Sequence, residues 1–186
     1  MKKRVISFLF LFFFAISVGV GLSEIGAHPE YQIKALILVR IAADVEWPEK
    51  TGVNDKAKPF VIGVIGSNPF EFYLKDAVSD KKIKDKNVEI IYLSNYNDIL
   101  KCHVLFITQS CEGDLTKILQ LTRTRPILTV SDTKGFSEKG VLINITENET
   151  AHRRLLVVNE KKLYESQLKV NPRVLAISQI INPLQK

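Results

Sequence analysis

From Lys101 to Asn144 the chain reads KCHVLFITQSCEGD, then a helical segment, then RPILTVSDTKGFSEKGVLIN. Two apolar runs, residues 103–107 and 126–130, each end in small polar residues, and one helix's length of chain lies between them. A hairpin cannot join strands that far apart in sequence, whereas parallel strands need a crossover of this length, usually a helix. This stretch therefore predicts a strand, a crossover helix and a second, parallel strand.

The rest of the chain extends the pattern. A broad stripe of helical period predicts a first helix over 30–47, stopped by Pro48 because the residue before proline resists helical geometry. Residues 49–58 read as a loop. Residues 60–65 are almost continuously apolar, as expected of a strand covered on both faces. Asn68 and Pro69 suit the cap and first position of a helix running to Val78. A strand over 88–93, a short helix over 95–100, a strand over 104–107, a helix over 114–122 and a strand over 127–130 follow. Two short runs, 141–145 and 154–158, predict an antiparallel hairpin at the sheet edge. Helices over 160–165 and from the Asn171-Pro172 cap to Ile181 complete the reading. The predicted fold is an α/β three-layer sandwich, a mainly parallel sheet with an antiparallel edge hairpin.

The first residues are expected to lie outside that fold. MKKR is a basic opening, residues 5–22 are uncharged and apolar, and small residues follow at Gly21, Ser23, Gly26 and Ala27. This predicts a secretory signal peptide over residues 1–27, cut after Ser23 or Ala27, and one domain over 28–186. An uncleaved membrane anchor is the rival, since 18 apolar residues could just span a bilayer. Removing residues 1–23 leaves 23 basic against 20 acidic residues, a charge of +3 instead of +6. That balance is ordinary solubility and argues against nucleic acid as a partner. The basic run 81–86 carries no interleaved aromatic residue and reads as a solvated loop.

The two cysteines, Cys102 and Cys111, flank one strand. At about 3.3 Å per residue that strand holds them roughly 15–20 Å apart, too far for a disulfide. Cys102 reads as a buried small hydrophobe and Cys111, in a polar loop, as the more reactive thiol. Cys111 faintly echoes a nucleophile elbow, but Gln109 stands where a glycine belongs. His103 falls at the opposite end of the strand, and His152 lies in the hairpin. No metal-ligand spacing and no phosphate-loop motif occurs, so no catalytic set, metal or cofactor is expected. Ligands of open parallel sheets bind outside the strands' carboxyl ends. The candidate pocket residues there are Ser67, Asn68, Thr108, Ser110, Ser131 and Asp132. Aromatic residues with arginine are the composition of binding hot spots. Phe70, Phe72, Tyr73, Arg153 and Arg154 are accordingly the candidate partner-binding residues, while Trp47 reads as a core anchor.

The phrases CHVLFI, RPILTVSD, GFSEKGVLIN, EYQIKALILVRIAADVEWP and PFVIGVIGSNPF, in their order, resemble the YfiR family across about residues 30–181. The resemblance implies a small periplasmic protein without enzymatic activity. It implies inhibitory binding to the periplasmic domain of an inner-membrane signalling protein, a diguanylate cyclase, and hence control of cyclic di-GMP and biofilm. The alternative is a periplasmic small-molecule-binding protein using the strand-end pocket. Either reading leaves a homodimer open.

Overall fold

The structure, a computed structural model, describes residues 29–51, 53, 55–148 and 153–182. The expected signal peptide lies outside the described residues. Helix α1 (Pro29–Ala43) opens the domain, with Glu30 in its first turn and Arg40 in its last complementing the helix dipole. It stops short of the expected Trp47. The Asp44 N–H closes the last turn on the carbonyls of Arg40 and Ile41, and the chain then extends into β1 (Val45–Glu46). That two-residue strand pairs antiparallel with β9 (Lys169–Val170), a contact distant in sequence that outweighs the local helical pattern.

The main sheet is built from β2 (Phe60–Ile65), β3 (Lys82–Ile83), β4 (Lys86–Leu93), β5 (Val104–Ile107), β6 (Leu128–Ser131), β7 (Ile143–Asn148), β8 (Arg153–Asn159) and β10 (Ser178–Ile181). Across the sheet they run β10-β8-β7-β6-β5-β2-β4-β3. Neighbours are parallel except at β7–β8 and β3–β4. The connecting helices are α2 (Tyr73–Val78), α3 (Leu115–Thr122), α4 (Phe136–Lys139), α5 (Glu160–Ser166) and α6 (Pro172–Ala176). The strand alternation of period two divides the core into two layers. Ile62, Val64, Val104, Phe106, Leu128 and Val130 face one cluster with α1 and α2. Ile65, Leu105 and Ile107 face another with Leu115 and Ile118 of α3 and Phe136 of α4. The result is the expected three-layer α/β sandwich.

Two local expectations are corrected. Asn68 does not cap a helix at Pro69: its Oδ1 accepts the Phe70 N–H at 3.0 Å, and the helix starts only at Tyr73. Glu71, at φ 48°, breaks the path between them. This turn drops Phe70 into the core, edge-on to Tyr31 at 5.6 Å and to Phe106 at 4.7 Å. At the other end, Asn171 and Pro172 open α6 as expected, the Asn171 side chain accepting the Arg173 N–H at 2.9 Å. The helix then ends at Ala176 rather than Ile181. Ser178–Ile181 instead form β10, parallel to β8 in the register Ser178↔Leu156 to Ile181↔Asn159. The expected hairpin is present, but β10 lies outside it and forms the sheet edge. Unpaired backbone groups on β8 favour that extra strand over a continued helix.

Candidate functional site

The carboxyl ends of β2, β5 and β6 open into a basin of about 780 Å³ lined by Ser67, Thr108, Ser110 and Asp132 together with Tyr31 and Lys34 of α1. The Lys34 ammonium lies 2.7 Å from Asp132, and both side chains are largely buried, at 12% and 9% exposure. The same ammonium sits 4.3 Å from the centre of the Tyr31 ring. Burial and a hydrogen bond to Asp132 hold the Tyr31 phenol well above its ordinary range, so it stays a neutral donor. Thr108 donates to the Ile65 carbonyl at 3.0 Å and shares a 2.9 Å hydrogen bond with Ser110. The Ser110 hydroxyl in turn accepts the Ser67 N–H at 2.8 Å. These hydroxyls stitch the β2 and β5 ends together while facing the basin.

Four of the six sequence-expected pocket residues thus share one basin. Asn68 is used in its turn. Ser131 is fully buried, donating to the Ile107 carbonyl at 2.7 Å and accepting the Thr133 N–H at 3.1 Å, so it fastens β6 to β5 and does not line the basin. The sequence reading missed Tyr31 and Lys34. Their signal was a lysine standing inside the apolar stripe of a helix.

Cys111 is corrected from a reactive loop thiol to a buried one. It packs into the second core layer, and burial raises its pKa despite hydrogen bonds to Thr108 and Ser110. Burial pushes Cys102 up to about 12. Both cysteines are free, as expected. Among the described residues no three metal-capable side chains cluster; His152 lies outside them.

His103 occupies the expected packed position. Its ring stacks on Phe60 at 4.7 Å, and its Nδ1 accepts the Val61 N–H at 3.0 Å. Burial first, then the charge of Lys86, lowers its pKa from 6.5 to about 4. The unfolded chain therefore takes up this proton first. His103's contribution to stability is intact above about pH 6.5 and is lost as pH falls towards 4. Urea unfolding at about pH 7 and about pH 5 should show a drop that shrinks in His103→Asn, which keeps an acceptor but does not titrate. An unchanged drop in the variant would assign the pH dependence elsewhere.

The partner-binding candidates separate. Phe70 is fully buried and is withdrawn from that set. Phe72 is exposed, and its ring lies 4.4 Å from that of half-buried Tyr73. Arg153 and Arg154 open β8, their side chains outside the described set. Trp47 is buried, edge-on to Phe60 at 5.3 Å, an anchor as expected. A surface that the sequence reading did not single out lies between α1 and α6. It is a groove of about 400 Å³ lined by Ile33, Leu36, Ile37, Ile41, Val174 and Ile177, with Arg40, Asp44 and Arg173 beside them. Ile33, Leu36 and Ile177 are exposed. A helix apolar on nearly every face is the sequence signal for such a surface.

The architecture defines a mainly parallel α/β domain with a polar basin at the carboxyl ends of its central strands. The chain belongs to the YfiR/HmsC-like family, whose profile matches residues 31–179. Membership supports, in general terms, a periplasmic regulator of diguanylate cyclase signalling and a regulatory rather than catalytic role. No curated protein matches the sequence. Among solved structures, the fold is similar to that of an ABC domain from Streptococcus pneumonia in complex with L-Trp. The TM-score is 0.54 at 12% identity, covering 79% of this chain and 60% of that one. It is also similar to a conserved domain protein from Vibrio cholerae O1 biovar eltor, with a TM-score of 0.51 at 10% identity, covering 81% of this chain and 59% of that one. The chain thus spans about three fifths of these structures' lengths, and at such identity the likeness is one of fold. Among the described residues no helix is long and apolar enough to cross a membrane.

Proposed function

We propose that this protein is exported and inhibits an inner-membrane diguanylate cyclase by binding its periplasmic domain through the groove between α1 and α6. The family match over residues 31–179 carries the reading. The exposed apolar groove supports its location, because contiguous exposed apolar surface marks interaction sites. The Phe72–Tyr73 pair and the β8 arginines are secondary contacts in this reading. Inhibition follows if the protein binds the cyclase's inactive conformation more tightly than the active one. Deleting the gene while the cyclase is expressed should raise intracellular cyclic di-GMP. Unchanged cyclic di-GMP in that strain would end the inhibitory reading.

Export rests on residues 1–27, which we propose are removed as a signal peptide, leaving a single domain. Intact mass of the periplasmic protein should correspond to a chain beginning at Glu24 or His28. Recovery solely as the full-length chain in membranes would favour an anchor.

A second reading, small-molecule binding in the strand-end basin, is favoured by one observation. Lys34, Asp132 and the Tyr31 hydroxyl converge there with the serine and threonine hydroxyls.

A further inference from the structure

The main sheet ends, along β4, in an open edge. On its inner side β4 pairs with β2 over residues 88–93. On its outer side β3 meets it only at Lys86 and Asn87. Among the described residues, no strand lies beside 88–93 on that outer side. The open run reads VEIIYL, without proline or lysine, two of the residues that usually blunt a sheet edge. Val88, Ile90 and Ile91 are half-buried, and Tyr92 is 42% exposed.

The phase of the strand shows which backbone groups that edge offers. The Val61 carbonyl accepts the His103 N–H, beside β5, at 2.9 Å. Backbone groups alternate between a strand's two neighbours, so those of Phe60, Ile62 and Val64 turn to β4. Ile62 stands level with Ile90, and a parallel ladder joins it to the residues on either side, Glu89 and Ile91. The N–H and C=O of Val88, Ile90 and Tyr92 therefore point outward. The turn between β3 and β4 gives the same phase. Lys84 and Asp85, both at positive φ, form a two-residue turn that closes on Ile83 and Lys86, so the even-numbered residues of β4 face outward.

We propose that this edge pairs antiparallel with the same edge of a second copy, joining two sheets into one. A half-turn about an axis perpendicular to the sheet brings the edge against itself and keeps α1 and α2 of both copies on one face. Residues that come opposite must then share a face, so their numbers add to an even sum. The β3 stub of each copy stands on the edge at Asn87, and the facing β4, which ends at Leu93, has to stop short of it. The register of greatest overlap that meets both conditions puts Ile91 on the axis, Ile90 opposite Tyr92 and Glu89 opposite Leu93. Ile90 and Tyr92 are the outward-facing residues, so each pair exchanges both of its N–H···O=C bonds. Glu89, the single charge in the window, meets no like charge. A second copy also suits the edge better than an unrelated strand does, because its own stub closes the far end of the window and fixes the register. The partner groove includes Leu156 of β8, at the other side of the sheet, so the joined pair leaves a groove free at each end.

The test is sedimentation velocity of the mature chain from about 1 to 100 µM, where the wild type should pass from monomer to dimer. Tyr92→Pro removes an outward N–H at a place where an edge strand tolerates proline, and should weaken association at least about tenfold. Circular dichroism checks that the variant folds, and a cross-link decides the matter if it does not. Ile91 meets its own counterpart at the axis as a non-hydrogen-bonded pair, with Cα atoms about 4.5 Å apart and within disulfide reach. Ile91→Cys should therefore join two chains on mild oxidation. Glu89→Cys, displaced from its counterpart by roughly 13 Å along the strand, should not. The native cysteines are buried and free, so the wild type supplies the blank. A chain still monomeric at about 100 µM would overturn the proposal and leave the edge to an extended segment of another protein. A dimer unweakened in Tyr92→Pro would overturn it too, as would one dissolved by Leu36→Asp, which would seat the copies at the groove. Equal cross-linking of the two cysteine variants would overturn the register. The inhibitory reading is decided separately, by cyclic di-GMP in the deletion strain.

Discussion

Replacing Gly66 with alanine is expected to lower the melting temperature by about 5–15 °C, the equivalent of about 2–5 kcal/mol in a domain of this size. Gly66 ends β2 at φ 94°, in the left-handed region where a side chain is strained. A Cβ built there would run into the Thr108 and Ser110 hydroxyls and the Cys111 sulfur. Those groups cannot retreat freely. Thr108 is tied to the Ile65 carbonyl, Ser110 to Thr108 and to the Ser67 N–H, and Cys111 is packed in the core. Backbone strain and overpacking therefore add, where either alone would cost about 1–3 kcal/mol. Gly113 is the natural control: a Cβ there meets nothing within 4 Å, so Gly113→Ala should melt close to the wild type. Thermal unfolding followed by circular dichroism decides the matter. If Gly66→Ala melted within about 2 °C of wild type, the account of this crossing would be wrong.

If the proposed groove holds the cyclase, introducing aspartate at Leu36 or Ile177 is expected to release it. Both side chains are exposed on the groove, Ile177 at 70%, so a charge there meets solvent in the free protein and buried apolar surface in the complex. Truncating a binding hot spot generally costs about 2 kcal/mol or more, roughly a 30-fold loss of affinity. A desolvated charge should cost at least that. Exposed substitutions usually shift stability by under about 0.5 kcal/mol, so the variants should accumulate and fold. In a deletion strain, each should then fail to restore low cyclic di-GMP. Phe72→Ala, at an exposed position outside the groove lining and only a secondary contact in the proposed reading, should complement nearly as well as wild type. Full complementation by both aspartate variants would remove the groove from the docking surface, and loss only in Phe72→Ala would move it to the aromatic pair.

The central strands were readable because their environment leaves little choice. Residues 60–65 and 104–107 are apolar without interruption, and both faces of the parallel sheet are covered, so local pattern and tertiary demand coincide. The ends of elements were less readable because distant partners set them. The helical stripe near Val45 yields to a strand pairing with Val170, and the apolar residues after Ala176 serve β8 rather than a helix face. Short apolar runs satisfy both periods, and only the open edge of β8 decides between them. At the site, position along the strands located Ser67, Thr108, Ser110 and Asp132, because carboxyl ends follow from strand order. Rotation could not be read in the same way. Ser131 and Phe70 turn inward, one to fasten two strands and the other to pack beneath α1.

Helix α1 has two working sides. Tyr31 and Lys34 reach the strand-end basin, where Lys34 grips Asp132, while Ile33, Leu36 and Ile37 on the same two turns wall the groove. A force on one side is thus felt by the other through a single rigid rod. Binding free energies linked through a shared body are reciprocal. An occupant of the basin that prefers one position of α1 alters the grip at the groove by some factor, and a protein seated in the groove alters the basin's affinity by that same factor. The helix makes the two surfaces thermodynamic neighbours even though no side chain lines both.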